Sequence, residues 1–213
     1  MAEKSEKIHE IRNRSKMGSI GVYGKEKGET FSRWLGRGKK ILELGCRDGS
    51  LTELFSAGNE ISGADIDASA LDLFKEKFHT QGYHIDLNND WPFGNDAFDA
   101  IVASEVLEHL YHPEEIIKKI SRTLKSGGIF MGSVPNAFSL ANRVRLFLAK
   151  PKYTALADPS HVHFFSYAEL KSVLKKYFSE VKLLPLGRFY FLGKLSPALF
   201  SYLIVFYCKN PRQ

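Results

Sequence analysis

The chain has 213 residues, 44% of them hydrophobic and 25% charged, which suits one large globular domain with a real core and leaves little room for a second. The formal net charge of +6 comes entirely from residues 1–40, which hold 11 Lys/Arg against 5 Asp/Glu, while residues 41–213 hold 19 of each. This excess fits either a basic arm that meets an anionic substrate, membrane or nucleic acid, or a solvated amphipathic helix. Cys46 and Cys208 match no metal-ligand spacing and read as reduced thiols of a cytosolic protein.

In chain order, the charged N-terminus MAEKSEKIHEIRNR has no apolar core of the secretory kind, so a cytoplasmic location is expected. Residues 1–38 read as a helical arm or lid, with Lys25–Leu35 as its helix, and residues 39–213 as one domain. Strands are expected at Lys40–Leu44, Glu60–Ala64, Tyr83–Leu87, Phe98–Ala103 and Gly128–Val134. Between them lie helices at Ser50–Ala57, at Ser69–Phe78 with a Ser69/Asp72 capping box, and at Pro113–Leu124, which Pro113 opens and Gly127 stops. Residues 136–160 read as a helical insertion. Ser166–Phe178 is a helix with a Ser166/Glu169 capping box, and Val181–Leu186 with Ser201–Cys208 form a closing strand pair. The alternation predicts an α/β fold with a parallel sheet covered on both faces. The apolar stretch Phe189–Cys208 is interrupted by Lys194 and Pro197, short of the roughly 20 clean apolar residues that a spanning helix needs. Peripheral membrane contact by Phe189–Phe200 is the alternative to a buried role.

The strand Lys40–Leu44 ends in ILELGCRDGS, a glycine turn where an open parallel sheet receives ligands. It lacks both the G-x-G-x-x-G spacing of a dinucleotide site and the Gly-Lys-Ser/Thr ending of a phosphate loop. Asp65, at the next strand end, can accept both hydroxyls of a ribose, and Asp86 can accept from an adenine amino group. Ile66 can pack on the adenine face. Three acids at successive strand ends suit an adenosine that carries a cationic sulfonium rather than phosphates.

Together ILELGCRDGSLTELF, ISGADIDASALDLFKEK, YHIDLNNDWPFGNDAFDAIVASEVLEHL and LKSGGIFMGSVPN, in that order, resemble the class I S-adenosylmethionine-dependent methyltransferases. The likeness spans about residues 38–180 and is nearest to the small-molecule branch that includes ubiquinone-pathway O-methyltransferases. It implies a Rossmann-like fold with a mostly parallel seven-stranded sheet, a final antiparallel strand and helices on both faces. It also implies S-adenosyl-L-methionine as cofactor. Glu43 would then orient the loop and the methionine amino group, with Gly45, Cys46 and Gly49 along the methionine part. Asp65 would hold the ribose, Ile66 the adenine face, Asp86 and Leu87 the adenine edge, and Ser104 would lie near the sulfonium and acceptor. The family's middle loop glycine is replaced by Arg47, whose side chain must point away from the cofactor or close over it.

A hydroxyl acceptor needs a base or a metal. In SEVLEHL, Glu105, Glu108 and His109 stand at i, i+3 and i+4, one face of any helix, and DPSHVHFFS brings Asp158, His161 and His163. His161, His109 and Glu105 are the candidate catalytic residues. The E-x-x-E-H pattern also resembles the metal site of small-RNA 3′-terminal 2′-O-methyltransferases, by which Glu105, Glu108, His109 and His161 would hold a divalent ion such as Mg²⁺. Arg143, Arg145, Lys150 and Lys152 with Phe138, Phe147 and Tyr153 give the insertion a basic, aromatic character, suited either to an anionic or aromatic acceptor or to a lid packed by its aromatics. The expected activity is methyl transfer to a small molecule at oxygen, by a monomer or homodimer. A metal-dependent RNA 2′-O-methyltransferase is a rival, disfavoured because the cationic excess lies only in the arm. A methyltransferase-like binding protein without turnover is the other, favoured by Arg47.

Overall fold

A computed structural model describes residues 17–187 and 190–212; residues 1–16 of the expected arm and Phe189 of the apolar stretch lie outside the described residues. One seven-stranded sheet runs β3-β2-β1-β4-β5-β7-β6. Its strands are β1 (Lys40–Leu44), β2 (Glu60–Asp65), β3 (Gly82–His84), β4 (Phe98–Ser104), β5 (Leu124–Pro135), β6 (Phe178–Leu186) and β7 (Leu203–Pro211). Strands β1 to β5 pair in parallel, and β7 runs antiparallel to both β5 and β6. Helices α1 (Gly24–Leu35), α2 (Ala68–Phe78), α3 (Pro113–Thr123), α4 (Leu140–Phe147), α5 (Tyr167–Tyr177), α6 (Tyr190–Leu195) and α7 (Pro197–Phe200) flank it.

The central strands β1 and β4 send apolar residues into both helical layers. On one face Leu42, Leu44, Ile101 and Ala103 pack with Ile116, Ile117 and Ile120 of α3 and with Leu170 and Leu174 of α5. On the other, Ile41, Ala100 and Val102 pack with Phe31 and Leu35 of α1 and Phe74 of α2. Strands β1, β2 and β4 end level, with Leu44 opposite both Ala64 and Ala103, so their following loops share one edge of the sheet.

Several local expectations shift. The segment after Gly49 forms only a 3₁₀ turn, Thr52–Leu54, because Thr52 is buried under β1 and Gly58 (φ 77°) turns the chain back into β2 within a few residues. The N-cap of α2 is Asp67, which accepts from the N–H groups of Ser69 and Ala70, in place of the Ser69/Asp72 box. Strand β3 stops at His84, because Asp86 folds its carboxylate onto Asn88 and Asn89 in a turn. Helix α3 passes directly into β5 at Leu124, and Gly127 (φ 74°) lies inside a bulge of that strand rather than at the helix end. The Ser166/Glu169 capping box of α5 is present.

Candidate functional site

A cavity of about 400 Å³ opens at the level strand ends. Glu43, Gly45, Cys46, Asp65, Ile66, Asp86, Leu87 and Ser104 all line it, as do Glu105 and His109. Gly49, Glu108 and His161 do not appear in its wall.

The turn needs glycine at Gly45 and Gly49, where a side chain has no room. A Cβ on Gly45 (φ 67°) would approach Val106 Cγ2 to 2.6 Å. The N–H groups of Gly45 and Cys46 both donate to the Ala64 carbonyl, at 2.7 and 3.2 Å, which fastens the turn to β2. Arg47 takes the left-handed φ of 49° and its N–H donates to Asp65 Oδ2 at 2.8 Å. Its guanidinium Nη1 reaches back to the Ser19 carbonyl at 3.4 Å, so the side chain lies towards the N-terminal segment. Gly49 (φ 73°) backs on Phe74 and Phe78, and its role is packing behind the turn.

Two buried acids face each other across the turn. Burial pushes the Glu43 carboxyl up to about 8, aided by neighbouring Asp65 and opposed by the Thr52 hydroxyl that donates to it and by Lys27 and Arg47. Burial also raises Asp65, although the N–H groups of Asp67 and Arg47 each donate to it. Burial opposes ionisation of Asp48 too, but the Gly18 N–H and the Ser50 hydroxyl and N–H outweigh it and hold that carboxyl below its usual range. The Gly18 bond, at 2.7 Å, draws the N-terminal segment over the cavity, where Ser19, Ile20, Gly21 and Val22 complete its wall.

Ile66, Ile85 and Leu87 give the cavity an apolar slot, and Asp86 lies beside it with its carboxylate held by the Asn88 and Asn89 side chains. Ser104 Oγ pairs with Ser133 Oγ at 3.1 Å. The buried acids, the close-approach glycine and the apolar slot fit an adenosine with a cationic tail, since each carries the chemistry that such a ligand requires.

The SEVLEHL acids separate. Glu105 adopts φ 59° and points to Lys27 Nζ at 3.2 Å and to the Ser133 hydroxyl at 2.9 Å. Leu107–His109 is a 3₁₀ turn, so the helical face that would align Glu105 with Glu108 and His109 does not form. Glu108, His109 and His161 do come together, with one ligand-capable atom of each within 4.8 Å of the others. His109 Nδ1 donates to the Ser160 carbonyl and His161 Nδ1 to the Ala155 carbonyl, each at 2.8 Å, since a carbonyl can only accept. The Glu108 carbonyl accepts from the N–H groups of Val162 and His163, which stitches the histidine loop to the turn. His163 turns to Glu169 of the α5 cap, 3.4 Å away, and Asp158 caps Ser160 and lies 3.7 Å from His161 Nε2.

Sequence reasoning missed Lys27 and Asp48, whereas Ser19–Val22 belong to the expected arm or lid. A signal existed for Lys27: Gly24, Lys27, Gly28, Phe31 and Leu35 form the buried stripe of α1, and Lys27 is the one cation in it, 2% exposed. Among the described residues no helix is long and apolar enough to cross a membrane.

A methyltransferase-domain family model matches residues 22–177. A ubiquinone biosynthesis O-methyltransferase of Actinobacillus pleuropneumoniae serotype 7 is 31% identical over 109 residues, covering 46% of this chain and 47% of that protein. A probable S-adenosylmethionine-dependent methyltransferase of Mycolicibacterium smegmatis is 25% identical over 139 residues, covering 65% and 51%. The chain thus spans about half the length of the curated relatives it matches. In structure it resembles a Thermotoga maritima protein described as a SAM-dependent methyltransferase, possible histamine N-methyltransferase, with a TM-score of 0.71, 16% identity and coverage of 99% and 100%. A SAM-dependent methyltransferase of Archaeoglobus fulgidus superposes with a TM-score of 0.64 at 19% identity, covering 87% and 94%. These structural likenesses concern the fold, whereas the family model takes in the glycine turn and all three acid-bearing strand ends, and by it the chain belongs to the methyltransferase-domain family, in the class I S-adenosylmethionine-dependent group.

Proposed function

We propose that this chain transfers a methyl group from S-adenosylmethionine to an oxygen of a small-molecule acceptor, with His109 as the base. The observation that carries this reading is His109 itself. It is an imidazole in the cavity wall whose Nδ1 hydrogen is committed to the Ser160 carbonyl. In that tautomer Nε2 carries the ring's acceptor lone pair, the atom that a base at a hydroxyl would use. The likeness to ubiquinone biosynthesis O-methyltransferases supports oxygen as the acceptor atom.

Bound S-adenosylmethionine would supply an electrophilic methyl on a good leaving group. Asp65 would accept from its ribose, Ile66 and Leu87 would hold its base, and Glu43 would face its cationic end. The protein's remaining work is alignment and exclusion of water, for which the Ser19–Val22 segment and the apolar slot are suited.

A second reading uses the Glu108, His109 and His161 group as ligands of a divalent ion that lowers the acceptor's pKa. One carboxylate and two imidazoles suit Zn²⁺, Mn²⁺ or Fe²⁺ better than Mg²⁺, which prefers oxygen. The test is methyl transfer to a panel of phenols and catechols, and to RNA 3′ ends, with EDTA or with each added ion. The first reading expects turnover of a phenol that survives EDTA and falls about 10²–10⁴-fold in His109→Gln. Loss in EDTA restored by Mn²⁺ or Zn²⁺ would favour the second. Cofactor binding with no turnover of any acceptor would mean a binding protein instead.

A further inference from the structure

We propose that residues 18–22 form a strap that must open for the cofactor to enter or leave, and that Asp48 in the glycine turn is its latch. The inference rests on the reading of the cavity as the cofactor's and adds a control on that same site.

The glycine turn departs from the family pattern where it meets the strap. Arg47 stands at the middle loop glycine, and an acid, Asp48, follows it. Both reach the same segment. The Gly18 N–H donates to Asp48 Oδ2 at 2.7 Å, and Arg47 Nη1 donates to the Ser19 carbonyl at 3.4 Å. Asp48 is buried and fixed from within the turn, where it also accepts from the Ser50 hydroxyl at 2.9 Å and the Ser50 N–H at 3.3 Å. A carboxylate that accepts from an N–H holds more firmly than a neutral pair. Asp48 is therefore a positioning residue, which acts on the cofactor through the strap.

The segment it holds is built to move. Gly18 and Gly21 have φ of 73° and 75°, and a Cβ on either would meet nothing within 4 Å. Backbone conformation rather than space calls for glycine at both positions. Ser19 and Val22 are exposed. Ile20 is half-buried, turned against Gly24 at the start of α1. A segment with so little buried apolar contact belongs to the low-stability end of a fold. Its inner side is nonetheless cavity wall, at Ser19, Ile20, Gly21 and Val22. The acid-bearing walls opposite are strand ends, which the sheet fixes. The strap is the side of the cavity that opens at least cost.

Both latch bonds run from protein to protein, so they resist entry as much as exit. That separates a gate from a plain wall contact. Loosening a gate speeds association and dissociation together, whereas losing a contact speeds dissociation alone.

The experiment is surface plasmon resonance of S-adenosylhomocysteine on the immobilised full chain, which reads both rates. Asp48→Ala should raise each about tenfold or more, with Kd moving by less than either. Asp48→Asn, which keeps an oxygen for the Gly18 N–H, should stay close to the unsubstituted chain. The pair Gly18→Ala with Gly21→Ala leaves the turn untouched and strains only the closed strap. It should raise both rates about fivefold or more. Thermal melting shows that each variant is folded. Rates left unchanged by Asp48→Ala and by the glycine pair overturn the proposal. So does a dissociation rate that rises alone, with Kd rising by the same factor, since the strap would then be a contact and not a gate. Absence of any binding to the unsubstituted chain would overturn the cofactor reading itself, and the gate with it.

Discussion

The backbone N–H of Arg47 donates to Asp65 Oδ2 at 2.8 Å, which makes the turn after β1 and the acid that ends β2 one hydrogen-bonded unit. Arg47 supplies that bond from a left-handed backbone, φ 49°, where an L side chain costs roughly 1–2 kcal/mol. Arg47→Gly should therefore keep the Asp65 bond and relieve the strain. Against the extra freedom of an unfolded glycine, a net gain of up to about 1 kcal/mol is expected. A rise in the urea midpoint at unchanged slope would show it. An equal or lower midpoint would mean that the Arg47 to Ser19 contact outweighs the strain.

Asp65 accepts two backbone N–H groups and still lines the cavity, so its carboxylate has lone pairs left for a ribose. Asp65→Ala should weaken S-adenosylhomocysteine binding at least about a hundredfold, the value of two hydrogen bonds to a charged acceptor. Calorimetric titration measures it. An unchanged affinity would place the ribose elsewhere.

Glu43 gives a pH signature. Its carboxyl, 4.5 when unperturbed, is pushed up to about 8 by burial. Between those values the folded protein holds a proton that the unfolded chain has released. The contribution of Glu43 to stability is thus full below the lower value and declines as pH rises through the upper one. Melting temperature should fall with pH across that window, and Glu43→Gln should flatten the slope. A cationic ligand favours the ionised form, so binding near neutral pH should release protons. Calorimetry in buffers of different ionisation enthalpy would detect the release, and its absence would separate Glu43 from the cationic end.

Lys27 and Glu105 form the most buried ion pair among the described residues, with Lys27 side chain 2% exposed and Glu105 26%. Glu105→Ala strands the lysine in the core and should cost about 3 kcal/mol, whereas Lys27→Met, which leaves the more exposed partner, should cost less. The double variant Lys27→Met with Glu105→Ala should recover part of the loss. Chemical denaturation of all four proteins gives the coupling, and strictly additive losses would mean that the pair contributes nothing.

Local chemistry made much of this molecule legible from sequence. Strand β1, the helices α3 and α5, the Ser166/Glu169 box and the order of glycine turn and acidic strand ends all depend on spacing over a few residues, which the chain writes directly. The acids that line the cavity were legible for the same reason, since a parallel sheet sends every strand end to one edge. What only the tertiary structure decided are relationships between distant residues and the direction a face points. Lys27 meets Glu105 across 78 positions, and no periodicity links them. Glu105 parts from Glu108 because a left-handed residue and a 3₁₀ turn replace the helix that would have aligned them. The apolar stripe of α4, formed by Leu140, Val144 and Phe147, is exposed, and its helical spacing is the same whether a stripe faces a core or water. Its outward direction follows from Asn142 and Asn136, whose hydrogen bonds to main-chain carbonyls hold the polar side of the helix against the fold.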